Sequence, residues 1–131
     1  MKTMKIAFAA LALSLSGWAA AETVLITGAN SGIGLELSKQ YAAKGWTVIA
    51  TARDPGSAAD LRALAGANPR ITVETLDVLD RAAITRLAAK YAGTPVDVLI
   101  NNAGVLGDLQ GQSLGSLDYD EFEEVMAVNV F

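Results

Sequence analysis

The chain of 131 residues contains no cysteine and no histidine. These absences exclude disulfide frameworks, zinc sites built from Cys and His, and catalytic dyads or triads that use either residue. Lys and Arg number 10 against 14 Asp and Glu, which gives a net charge of −4. We expect no nucleic-acid partner, because such a partner requires a basic face. Hydrophobic residues make up 52% of the chain, which is enough for a sizeable core.

Residues 1–21 differ in character from the rest of the chain. Lys2 and Lys5 precede an apolar stretch, and a run of three alanines ends at Ala21. This order is typical of a secretory signal peptide cleaved after Ala21, and it predicts a periplasmic or secreted protein. A start codon assigned too early or an uncleaved hydrophobic arm remains an alternative, and the protein is then cytoplasmic. The apolar stretch is shorter than the roughly 20 residues of a spanning helix, so we expect no stable membrane span after cleavage.

Residues 22–131 alternate between apolar runs and segments of helical periodicity, and they form one predicted domain. Such alternation predicts βαβ units, and therefore an α/β fold with a parallel sheet covered on both faces. The patterns predict strands over 23–27, 47–52, 71–76 and 96–101, and helices over 32–44, 58–67, 80–91 and 118–131.

The strands differ in a way that predicts their spatial order. Residues 24–26, 48–50 and 98–100 are continuous apolar runs, typical of inner strands buried on both faces. The third strand alternates and carries Glu74, as expected of an edge strand. The order 3-2-1-4 places it at the edge, and this is the order of a Rossmann-type doubly wound sheet. Because that fold contains two βαβαβ halves, four strands predict an incomplete version of it.

A glycine-rich segment joins the first strand to the first helix and reads TGANSGIG over residues 27–34. Glycines at this place permit a tight turn and a close approach of pyrophosphate to the amides at a helix N-terminus. The segment lacks the lysine of a P-loop, which argues against nucleotide triphosphate hydrolysis. We interpret it as a dinucleotide-binding turn, with a merely structural tight turn as the alternative.

The end of the second strand predicts which dinucleotide is bound. A carboxylate there suits the ribose 2′-hydroxyl of NAD, whereas a cation suits the 2′-phosphate of NADP. Arg53 occupies this place and favours NADP over NAD, although a solvated loop cation is the alternative. Asp54 follows, and it either binds ribose or begins an Asp-Pro turn.

Four stretches together resemble the short-chain dehydrogenase/reductase family. They are TGANSGIG at 27–34, TARD at 51–54, LDV at 76–78 and DVLINNAG at 97–104. The resemblance extends over residues 23–131 and is similar in detail to carbonyl-reductase-like and C-factor-like members.

The resemblance implies roles for twelve cofactor-binding residues. The pyrophosphate is expected at Gly28, Asn30, Ser31, Gly32, Ile33 and Gly34. The 2′-phosphate is expected at Arg53, the adenine between Asp77 and Val78, and the remaining course of the cofactor along Asn102, Ala103 and Gly104. From the residues alone, a turn after the fourth strand is the alternative for the Asn-Asn pair.

Asn129 continues the face that Phe122, Val125 and Met126 define in the last helix, which we predict to be buried. The resemblance implies that Asn129 belongs to a catalytic Asn-Ser-Tyr-Lys set. An Asn with satisfied hydrogen bonds, or one that faces solvent at a frayed helix end, is the alternative. The sequence contains no Tyr-x-x-x-Lys, because no Lys stands four residues after any of its tyrosines.

Two hypotheses about function follow. The chain is either the N-terminal portion of an NADP-dependent oxidoreductase, or a non-catalytic dinucleotide-binding or signalling module or a decayed remnant. An oxidoreductase of this type would exchange hydride between NADPH and a small carbonyl or alcohol substrate, and its full-length form could be a homo-oligomer.

Overall fold

The structure, a computed structural model, describes residues 21–108 and 115–130. Almost all of the predicted signal segment lies outside these residues. Within them, no helix is long and apolar enough to cross a membrane. The elements alternate along the chain as β1 (Thr23–Ile26), α1 (Gly32–Ala43), β2 (Thr47–Ala52), α2 (Ala59–Ala67), β3 (Ile71–Thr75), α3 (Arg81–Lys90), β4 (Val98–Ile100) and α4 (Tyr119–Asn129).

The strands form one parallel sheet in the order β3-β2-β1-β4, which confirms the predicted order. Val24 of β1 pairs with Val48 of β2 on one side and with Val98 of β4 on the other, and Val48 pairs with Ile71 of β3. Because all pairs are parallel, the carboxyl ends of the strands meet at one edge of the sheet. In open α/β sheets, ligands bind outside this edge.

The core lies on the face of the sheet that α1 and α2 cover. Val24 and Ile26 of β1, Val48 of β2 and Leu61 of α2 have no exposed surface. Burying a side chain the size of Leu61 stabilises the fold by about 2 kcal/mol. These contacts fix the ends of β1 and β2, from which the glycine-rich loop and the loop of Arg53 extend.

Two expectations about burial are wrong, and one further apolar residue with the spacing of a core face is exposed. Ile33 is spaced by four from Leu37 in α1, yet it is 73% exposed in the first turn of the helix. Leu99 of the short β4 is 59% exposed, since it borders an open groove instead of lying under a helix. The face of α4 that we predict to be buried is not: no residue of this helix is buried, and Phe122 is exposed and lines a surface groove.

Candidate functional site

Thr27 joins the carboxyl ends of β1 and β4. Its Oγ1 accepts hydrogen bonds from the amides of Asn102 and Ala103, both at 3.0 Å. In return, Nδ2 of Asn102 donates to the carbonyl oxygens of Thr27 and Gly28, also at 3.0 Å. Buried polar groups paired in this way hold two loops in one arrangement. The TGANSGIG and NNAG segments, distant in sequence, therefore form one unit.

Two of the glycines leave no room for a side chain. A Cβ on Gly28 would lie 2.7 Å from the Cα of Ala103, and Gly28 has a φ of +65°. A Cβ on Gly34 would lie 2.6 Å from Nδ2 of Asn102. Gly32 has open space around it, and its φ of +56° is the reason that glycine is favoured there. The close approach of β1, α1 and the β4 loop thus depends on Gly28 and Gly34.

The first backbone N–H groups of α1 are not capped by the side chain of the N-cap residue. Ser31 occupies the N-cap position, yet its side chain makes no capping hydrogen bond. Its Oγ accepts a hydrogen bond from Nδ2 of Asn30 at 3.3 Å instead. The first amides of a helix carry a partial positive charge and bind anions when no side chain caps them.

The loop after β2 carries Arg53 and Asp54, which differ in whether their side chains are engaged. Oδ1 of Asp54 accepts a hydrogen bond from the amide of Gly56 at 2.8 Å, and the Ser57 hydroxyl donates to the Asp54 carbonyl at 3.0 Å. Asp54 therefore begins a turn, as one of the two sequence interpretations holds. Arg53 has no hydrogen-bond or salt-bridge partner among residues 21–108 and 115–130.

The loop after β3 is a tight turn that leads into α3. Oδ1 of Asp77 accepts from the amide of Leu79 at 2.9 Å, and the Asp80 carboxylate accepts from Ala82 and Ala83 at the start of α3. These backbone hydrogen bonds, led by that of Ala83, together with Arg86 hold the pKa of Asp80 below its ordinary value. The turn fixes Asp77 and Val78 at the edge of the sheet.

These loops enclose a cleft of about 360 Å³. Nine of the twelve predicted cofactor-binding residues line it, namely Gly28, Asn30, Ser31, Arg53, Asp77, Val78, Asn102, Ala103 and Gly104. The other three, Gly32, Ile33 and Gly34, belong to the start of α1 and do not line it. Among residues not predicted to belong to the site, Ser57, Val105 and Val128 line the cleft, and Thr27 holds two of its loops together. The position of Thr27 at the head of the glycine segment was the available signal for that residue, whereas nothing in the pattern marks Val128.

Asn129 lies beside the cleft without lining it. Its Oδ1 accepts from the Val105 amide at 2.9 Å, and its Nδ2 donates to the Val105 carbonyl at 2.8 Å. A Cβ on Gly104 would lie 3.2 Å from the same Oδ1. The side-chain amide of Asn129 is thus engaged with the loop after β4. In the described part of the chain, no group of three or more acidic, His or Cys residues could hold a metal ion.

The family model for short chain dehydrogenases matches residues 22–131. This chain belongs to the short-chain dehydrogenase family. Retinol dehydrogenase 8 of Homo sapiens is 43% identical over 106 residues, which are 76% of this chain and 34% of that protein. The resemblance seen in the motifs is therefore confirmed.

Solved structures of short-chain dehydrogenases share the fold. One from Burkholderia multivorans, with bound NADP, has a TM-score of 0.76 and 34% identity, and the match covers 83% of this chain and 48% of that one. A 4-hydroxyisoleucine dehydrogenase mutant, complexed with NADH and succinate, has a TM-score of 0.70 and 28% identity over 83% of this chain and 43% of that one. The chain spans less than half the length of each of these three proteins.

Proposed function

We propose that the cleft binds NADP(H), and that the protein is an oxidoreductase which exchanges hydride between NADPH and a small carbonyl or alcohol substrate. The observation that carries the proposal is the pair of adjacent residues after β2. Arg53 lines the cleft without a partner among the described residues, while Oδ1 of Asp54 accepts a hydrogen bond from the Gly56 amide. A cation whose neighbouring carboxylate is held by a backbone amide suits a 2′-phosphate.

The residues present fit a dinucleotide. Ala103 occupies the space that a Cβ on Gly28 would need, and Asn102 occupies the space that a Cβ on Gly34 would need. This close packing keeps the glycine turn compact beneath the cleft. The uncapped amides at the start of α1, behind Ser31, would hold the pyrophosphate. When bound, the cofactor supplies or accepts the hydride, and this chain's own residues bind and orient it. Asp77 and Val78 form the wall against which the adenine would lie.

The proposed role of Asn129 in catalysis is indirect in this arrangement. Both polar atoms of its side chain bind the Val105 backbone, so it holds the loop that follows Gly104 at the rim of the cleft. We propose that Asn129 is a member of the catalytic set and that it acts through its own backbone groups or through the loop that its side chain holds. We also propose that the full-length form acts on a small carbonyl or alcohol substrate and assembles as a homo-oligomer.

Calorimetric titration of the chain with NADP⁺ and with NAD⁺ tests the cofactor. We expect tighter binding of NADP⁺, and we expect Arg53→Ala to weaken NADP⁺ binding by about 10-fold or more while leaving NAD⁺ binding nearly unchanged, since an Arg–phosphate hydrogen bond is charge-assisted. Equal affinities for both dinucleotides in the unaltered chain would contradict the assignment to NADP.

Asp54→Asn separates the two interpretations of Asp54. The Asn side-chain oxygen can still accept from the Gly56 amide, so the turn is preserved. We expect unchanged NAD⁺ affinity and slightly higher NADP⁺ affinity, because a negative charge is lost near the phosphate. A 10-fold loss of NAD⁺ affinity would instead show that Asp54 binds ribose.

The non-catalytic alternative shares the cleft and differs in chemistry. In that alternative the cleft binds a dinucleotide but no hydride is transferred. NADPH oxidation measured with a panel of small ketones and aldehydes distinguishes the two functions. Turnover would exclude the alternative, whereas dinucleotide binding without turnover would support it.

We also propose that residues 1–21 are an export signal, on the strength of the two lysines, the apolar stretch and the alanines before the cleavage position. N-terminal sequencing of the protein purified from its host tests this. A mature protein that starts at Glu22 supports export, and a retained Met1 contradicts it.

A further inference from the structure

A second groove lies on the outer side of the cleft, between β3 and α3. Its volume is about 310 Å³, and Arg53 and Asp77 line both this groove and the cleft. Glu74 and Lys90 also line it. Arg53, the cation proposed to bind the 2′-phosphate, therefore borders the same groove as Glu74, a carboxylate that could pair with it.

Glu74 is close enough to Arg53 to compete for it. Glu74 of β3 pairs in register with Thr51 of β2, and Arg53 stands two residues further along the same chain. With strands about 4.8 Å apart and a rise of about 3.3 Å per residue, their Cα atoms are separated by about 8 Å. Arg53 lies just beyond the end of β2, and it lines the groove beside α3 together with Glu74. An Arg and a Glu can form an ion pair across such a separation.

Two residues at the end of α3 hold Glu74 in another direction. Lys90 Nζ lies 2.6 Å and the Tyr91 hydroxyl oxygen 2.7 Å from the same atom, Oε1 of Glu74. The Glu74 side chain is 12% exposed. Partial burial by itself would raise the pKa of Glu74, but the hydrogen bonds from Lys90 and Tyr91 outweigh it and the pKa lies below its ordinary value. Glu74 is thus held as a paired anion.

The other carboxylates at this groove are engaged elsewhere. Asp80 accepts from the first amides of α3 and lies 3.5 Å from Arg86, and Asp77 accepts from the Leu79 amide. Glu74 is therefore the carboxylate whose release would affect Arg53 most directly.

We propose that Lys90 and Tyr91 are positioning residues that determine cofactor specificity: they hold the Glu74 carboxylate on α3, and Arg53 consequently stays available for the 2′-phosphate of NADP. This inference rests on the proposed function, because it assumes that Arg53 binds that phosphate. NAD has no 2′-phosphate, so its affinity is independent of this arrangement.

The test compares NADP⁺ and NAD⁺ affinities, measured by calorimetry, for the chain and for four variants. Lys90→Met removes the charge while keeping most of the length of the side chain, and we expect NADP⁺ affinity to fall about 5-fold with NAD⁺ affinity unchanged. Tyr91→Phe should have the same effect to a smaller degree. The double variant Lys90→Met/Glu74→Gln should regain the NADP⁺ affinity of the unaltered chain, because the competing charge is gone.

Lys39→Met is the matched control, since Lys39 is also a salt-bridged lysine, pairing with Glu36 on α1, and does not line either groove. It should change neither affinity. A purely structural role of Lys90 would lower both affinities together and would not be rescued by Glu74→Gln, and either result overturns the inference. Failure of the proposed function is distinguishable, because Arg53→Ala would then leave NADP⁺ affinity intact.

Discussion

Asn129 pairs with the backbone of Val105 through both ends of its side-chain amide, at 2.9 Å from the Val105 nitrogen and 2.8 Å from the Val105 oxygen. The pairing joins the last turn of α4 to the loop that carries Gly104 into the cleft. The same contact places Asn129 Oδ1 within 3.2 Å of the position that a Cβ on Gly104 would take. An amide is one of the few side chains that can satisfy a backbone donor and a backbone acceptor at once.

We predict that Asn129→Ala loosens this loop. The loss of two hydrogen bonds should lower the free energy of unfolding by about 1 to 2 kcal/mol. Hydrogen exchange at the Val105 amide should accelerate, because its acceptor is gone. Glu124→Ala, a change at an exposed position of the same helix, should leave exchange at Val105 unaltered. Unchanged exchange in Asn129→Ala would show that the loop is held by other contacts.

Gly28→Ala should damage both the fold and the cleft. A methyl group on residue 28 would lie 2.7 Å from the Ala103 backbone, in a conformation with φ of +65°. We expect the free energy of unfolding in urea to fall by more than about 2 kcal/mol, and dinucleotide affinity to fall as well. Gly66→Ala in α2 is the matched control, since nothing lies within 4 Å of its Cβ position. That variant should gain about 0.5 to 1 kcal/mol from helix propensity. A stable Gly28→Ala chain with normal affinity would contradict the close packing of the two loops.

Two buried threonines should respond in opposite directions to replacement by valine. Thr51 has no exposed surface, and its Oγ1 lacks a hydrogen-bond partner among the described residues, so Thr51→Val should raise the free energy of unfolding by about 1 kcal/mol. Thr27 accepts from two amides, and Thr27→Val should lower it by about 1 to 3 kcal/mol. Both values come from urea unfolding curves. Equal effects of the two variants would be inconsistent with this difference in hydrogen bonding.

Glu74 should contribute to acid sensitivity. Because its pKa in the folded chain is below the ordinary value of 4.5, its stabilising effect is fully present above that pH and is lost as the pH falls through the folded pKa. Glu74→Gln should therefore cost about 1 kcal/mol at pH 7 and progressively less below pH 4.5. Urea unfolding measured between pH 7 and pH 3 checks this. A difference between the two chains that stays constant over that range would exclude the predicted linkage.

Much of the fold was predictable because local patterns and tertiary structure agree. The alternation of strands and helices, the sheet order and the start of α3 near Asp80 all follow from the sequence, since apolar runs and helical periodicity act over a few residues. Burial was harder to predict. Ile33, Leu99 and Phe122 have the spacing of core residues and are exposed, because burial depends on whether another element covers the position.

By itself, the sequence determined the glycine turn, the basic residue after β2 and the family to which the chain belongs, since those features depend on residue type and spacing along the chain. The tertiary structure decided which of the polar groups are already engaged. Asp54 is committed to Gly56, Asn129 to Val105, and Glu74 to the end of α3, whereas Arg53 remains unpaired among the described residues. The physical reason is that hydrogen bonds between groups distant in sequence form only when the fold brings them within about 3 Å.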